Sequence, residues 1–151
     1  MELSVLERLA TNIESTIANL QTQGGYQLTI SRATKKINPA HLAGFIYQLP
    51  AQMVNDAMIQ SNEWRQQFAI VVYVIPLDDD TTAVDTYNND IAASLHMALM
   101  NDYTRGGLAL DTIVMPTMYF PPVDGEFSGI TFIFDIHYRT TLDKPYQSMY
   151  S

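Results

Sequence analysis

Asp135, His137 and Arg139 stand two apart along one segment, so in an extended strand all three side chains share a face. A carboxylate beside an imidazole can orient a general base. No serine, cysteine or lysine nucleophile accompanies them in a recognisable arrangement, so the plainer reading is a solvated or interface strand face. His41 and His96 complete the histidines. None has a second histidine at i+4, and no His-Glu-x-x-His run occurs, so each reads as an ordinary surface or boundary side chain. Asp78, Asp79 and Asp80 form the densest charge run. A calcium loop would need alternating ligands, a glycine and a closing glutamate, which are missing. Negative charge there suits the N-terminus of a following helix. Arg105-Gly106-Gly107 lacks phosphate-loop spacing, and Gly-x-Ser-x-Gly is absent. These observations give no catalytic, cofactor-binding or metal residues.

The strand bearing the triplet is the clearest element. Phe132, Phe134, Ile136 and Tyr138 alternate with Thr131, Ile133, Asp135, His137 and Arg139, which predicts one buried and one wet face. Earlier, Ser4 and Glu7 have capping-box spacing. Leu6, Leu9, Ala10, Ile13, Ile17 and Leu20 follow at helical spacing, predicting a helix over about 5–22 that ends at Gly24 and Gly25. Residues 26–33 alternate as a first strand. Phe45, Tyr47 and Leu49 suggest a second, stopped by Pro50. Residues 51–63 fit either a short helix or the arm of a long hairpin. Phe68–Ile75 is apolar on both faces and reads as a central strand. Thr82 and Asp85 are spaced to cap a second helix with a stripe of Val84, Tyr87, Ile91, Leu95, Ala98 and Leu99, closed by Gly106 and Gly107. Thr112–Phe120, with Pro116 inside, reads as an edge or bulged strand. The order predicts a single α+β domain over residues 1–151: a mainly antiparallel β-sheet with two long helices packed on one face.

Composition narrows the functions. The chain has 151 residues, 47% hydrophobic, which suffices for a core. Without cysteine there is no disulfide framework or thiol chemistry. No apolar run approaches the roughly 20 residues of a membrane span, and the N-terminus shows no secretory signal, so a cytoplasmic protein that does not enter a membrane is expected. Only 8 Lys and Arg against a net charge of −8 leave little with which to grip phosphates. Met115, Met118, Tyr119, Phe120, Pro121 and Pro122 cluster at the expected edge strand. Tyr146, Met149 and Tyr150 give the tail an apolar character that suits subunit contact.

The whole pattern resembles the tail terminator family of long-tailed bacteriophages, also called tail completion or tail-to-head joining proteins. The resemblance runs through the amphipathic first helix, the Phe45–Pro50 strand and Trp64-Arg65-Gln66-Gln67 leading into Phe68–Ile75. It continues through the Asp-rich run before the long helix, then Ile136-His-Tyr-Arg139 and Asp143-Lys-Pro145-Tyr146. It implies a homo-oligomeric ring, a hexamer, on the end of the tail tube. Such a ring stops tube polymerisation, meets the head–tail connector protein, and lets DNA pass its channel without specific binding. It implies a virion protein of the tail or neck, assembled in the host cytoplasm. For ring closure the expectation is Met118, Tyr119, Phe120, Pro121 and Pro122 at the edge, with Arg139, Asp143, Pro145 and Tyr146 in the tail. Arg139 or Asp143 would supply an intersubunit ion pair. For an acidic channel it is Asp78, Asp79, Asp80, Asp124 and Glu126, whose carboxylates would repel phosphate. The rival readings are another phage neck component or tail tube subunit, a part of a contractile injection device, or a small enzyme or ligand-binding domain using the Asp135 face.

Overall fold

Ser4 lies in extended backbone and its hydroxyl accepts the Glu7 N–H at 3.1 Å, which starts helix α1, Val5–Ile17. The computed structural model describes residues 3–34, 41–54, 61–75, 83–120, 128–141 and 144–148. The cap is only half of a capping box, because the Glu7 carboxylate turns away to Arg32, 2.5 Å from Nη1. Val5, Leu9, Ala10, Ile13 and Ile17 form the buried stripe. The helix stops at Ile17, short of the expected 22. The following chain is drawn onto the sheet instead: Ala18 O accepts the Ile30 N–H at 3.0 Å and Leu20 O the Leu28 N–H at 2.8 Å. Those bonds replace the last helical turn.

Strand β1 is Thr29–Arg32, shorter than the predicted 26–33, and it runs parallel to β2, Ala43–Val54. The sheet is therefore mixed, although its other pairings are antiparallel. β2 does not stop at Pro50. It continues through a register shift between Gln48 and Ala51 and pairs with β3, Ser61–Val74. Of the two readings of 51–63, the hairpin arm is the one found, for its described residues. Proline is tolerated there because, among the described residues, β1 borders β2 only along 43–46 and no strand neighbour meets the missing donor. The buried Gln66 side chain donates to Leu49 O and supplies a partner beside the shift.

Helix α2, Val84–Met100, has Ala83 at its N-cap with no side-chain cap bond; Thr82 of the expected Thr82–Asp85 box lies outside the described residues. Tyr87, Ile91, Leu95 and Leu99 are its buried stripe. In the turn that closes it, Gly106 and Gly107 adopt φ of +70° and +87°, as the glycine pair suggested.

One strand was expected over Thr112–Phe120. Two are found, β4 (Asp111–Val114) and β5 (Met118–Phe120), separated around Pro116. Both lie along the same side of β6, Ser128–Thr141, and β7, Lys144–Ser148, folds back beside them. The order is β1-β2-β3-β6-β4, with β5 and β7 also on β6. Phe68, Ile70 and Val72 stand across from Phe134, Phe132 and Ile130, so one sheet face is continuous, and with both helices it makes a single core. Phe68 and Phe134 stack at 5.6 Å. At Gly129 a Cβ would lie 1.8 Å from Val72 O, so only glycine lets β3 and β6 close there.

Candidate assembly surface

The sheet has two borders of unlike character. At β1 the outward donors have partners in the chain's own first helix and its exit. Ile30 N–H reaches Ala18 O, and Arg32 N–H reaches Glu14 Oε2 at 2.9 Å. At β4–β5 the chain is broken by Pro116 and its apolar side chains stand in solvent. Met118 is 56% exposed, Tyr119 52% and Ile113 37%. Among the described residues nothing pairs with the far side of this border, and a border of this kind invites pairing with another chain. Between it and α2 lies a groove of about 530 Å³ lined by Ala92, His96, Met115, Pro116 and Tyr119, with Phe132 among its walls. Phe120 is half-buried because its ring meets Tyr73 at 6.0 Å, and Tyr73 meets Phe45 at 6.1 Å. These three rings lie on the sheet face turned away from the core residues, at the end of β6 that carries Gly129.

The other end of that face is polar. Arg139 pairs with Glu63 at 3.4 Å, a partner in its own chain. Arg65 Nε donates to His137 Nε2 at 2.9 Å. Asp135, expected on a wet face, is only 7% exposed. It is hemmed between Gln67 of β3 and Ile113 of β4 in the register. The Asp135–His137 pairing that a catalytic reading would need is thus not the bond His137 makes. His41 Nδ1 lies 2.6 Å from Ile75 O with its ring edge-on to Tyr87, and His96 is exposed at the groove.

Of the expected interface residues, the structure brings Met118, Tyr119 and Phe120 together on β5. Arg139 lies far along β6 from them: Met118 is in register with Thr131, eight residues away, or about 26 Å of strand. Pro145 and Tyr146 belong to β7, whose backbone pairs within the chain. Pro121, Pro122 and Asp143 lie outside the described residues, as do all five expected channel residues, Asp78, Asp79, Asp80, Asp124 and Glu126.

Arg105 stands in the sequence as part of a glycine turn without phosphate-loop spacing, and its burial was not expected. Its side chain is fully buried, with φ of +51°, and Nη2 donates to Leu99 O and Asp102 O at the end of α2. Burial pulls its pKa down, opposed by the Asp102 charge. Bonds from Thr104 and Gly106 lower the Asp102 pKa in turn. A cation followed by two glycines after a helix was the available signal.

Among the described residues no three His, Asp or Glu side chains are grouped to hold a metal, and no helix is long and apolar enough to cross a membrane. Compared with known proteins, the chain matches no family model and no curated protein.

Proposed function

We propose that this chain is a structural virion protein that closes the end of a phage tail tube as a ring. In this reading it stops tube polymerisation and forms the joint with the head connector. The observation that carries the reading is the open apolar border at Met118 and Tyr119, beside a sheet whose opposite border is sealed. A cyclic ring is built from unlike, head-to-tail contacts, and a chain with two unlike borders suits that geometry. The two helices over one sheet face leave the other face and the β5 border for neighbours. The net charge of −8 suits a channel that DNA crosses without being held. The chain would act as a hexamer in the tail or neck, after assembly in the host cytoplasm, with the tail tube protein and the connector as partners. No reaction is assigned to it.

Electron microscopy of particles assembled without the chain tests this. Overlong or headless tails are expected. Tails of normal length that fail only to meet the head would replace the terminator with a connector, and intact particles would sink the reading altogether.

A further inference from the structure

The β4–β5 border offers apolar side chains to a neighbour, yet its backbone is nearly closed to a strand. The Met115 N–H donates to Ile133 O at 2.8 Å, and these two residues continue the register that sets Ile113 across from Asp135 and Asp111 across from His137. In an antiparallel pair alternate residues turn their backbone groups to the partner. Residues 111, 113 and 115 therefore serve β6, while Thr112, Val114 and Pro116 point away from the sheet. A strand added from another chain would need donors and acceptors at those outward places. Thr112 is not open to it. Its N–H donates to Asp111 Oδ1 at 2.8 Å, its hydroxyl donates to Tyr103 O at 2.8 Å in the turn after α2, and the residue is 1% exposed. Pro116 is exposed but has no N–H. That leaves Val114 with the one donor of the three. Beyond the proline the ladder changes step. Met115 faces Ile133 but Met118 faces Thr131, so the border carries an extra residue between them. The next outward backbone is that of Tyr119, because Met118 and Phe120 serve Thr131 and Gly129. Val114 and Tyr119, with a proline and a bulge between them, do not make the alternating row that a strand needs.

We propose that Pro116 is a gatekeeper that denies this border to a strand from another chain and leaves it to side-chain contact. Ile113 and Met118, in register with Asp135 and Thr131, lie on the face turned from the core, and Tyr119 lies on the α2 side at the groove. Contact through side chains is limited by the shapes that meet. Strand addition has no such limit, because each chain that arrives brings a border of its own. The gatekeeper rests on the folded border alone and holds whether or not the chain caps a tail tube.

The test is Pro116→Val, which restores the missing N–H with a residue that favours strands. The variant should grow into open-ended assemblies that bind thioflavin T and sediment, while the wild-type chain at equal concentration does neither. Amide hydrogen exchange resolved to single residues reads the contact itself. The Val114 N–H should slow about tenfold or more as Pro116→Val associates, and should keep its rate at every concentration of the wild-type chain. A variant that keeps the wild-type mass overturns the proposal, and so does growth without protection of Val114. Concentration-dependent protection of Val114 in the wild-type chain overturns it as well, a measurement that decides even if the variant fails to fold. A wild-type chain that stays single while the variant grows by Val114 would support the gatekeeper and sink the ring.

Discussion

The β1 border and the β4–β5 border belong to one sheet and were shaped by opposite pressures. At β1 the chain gives up the last turn of α1 so that Ala18, Leu20 and Glu14 can occupy the outward donors of the strand. Thr29 and Ser31 are exposed there, while Leu28 and Ile30 turn inward. At β4–β5 no such sacrifice is made, and methionine, tyrosine and isoleucine face water. A soluble chain ordinarily blunts its sheet borders with charge, proline or covering structure. Here, among the described residues, one border is covered and the other carries the Pro116 break. The lesson is that sealing a border costs local structure, and this chain bears that cost on one side alone.

The contrast can be broken most severely from inside. Ile30→Ala empties a core site at the sealed border and should cost about 2–4 kcal/mol, while Ile113→Ala at the open border should stay within about 0.5 kcal/mol. Denaturant unfolding of both variants checks this, and equal losses would dissolve the distinction. Alkali gives the buried side a pH signature. Burial pushes the Tyr138 hydroxyl up to about 12, above its ordinary 10. The neutral phenol is thus the form the fold prefers. Its contribution is complete below pH 10 and is lost as pH rises toward 12, at most about 2–3 kcal/mol. Tyr138→Phe should flatten that part of the stability curve, and an unchanged slope would contradict the burial. Glu14→Ala strips the Arg32 N–H of its partner and should cost about 1–2 kcal/mol, most of it recovered in Glu14→Gln, which keeps an oxygen. Thermal melts of the pair decide whether the carboxylate seals the border. Smallest in stability is Tyr119→Asp, expected within about 0.5 kcal/mol of wild type in denaturant titration. A large loss would mean that Tyr119 belongs to the fold and not to a contact.

Much of this was legible in the residues. Alternation in 130–138 gave the two faces of β6, and the stripes in α1 and α2 gave their buried sides, because period and burial are linked directly. The clustered Met118, Tyr119 and Phe120 fall together on β5, where the first two are exposed. What failed did so where tertiary bonds overrule local signals. Leu20 has helical spacing, yet its carbonyl serves Leu28. Pro50 reads as a stop, yet a bulge and the Gln66 side chain carry β2 past it. Parallel pairing of β1 leaves no local trace. Asp135 looks like a surface residue by its type and position, and only the packing of β3 and β4 around it makes it buried. The buried Arg105 was missed because a lone arginine in a glycine turn usually reaches water.

The central claim is that the open border joins copies of this chain into a ring, and the mass of the assembly tests it most directly. Light scattering should give wild type at a six-fold multiple of the 17.0 kDa chain. Met118→Lys combined with Tyr119→Asp should give the single chain with an unchanged melting temperature. A wild-type chain that stays single at every concentration, or a ring that survives both substitutions intact, would contradict the account.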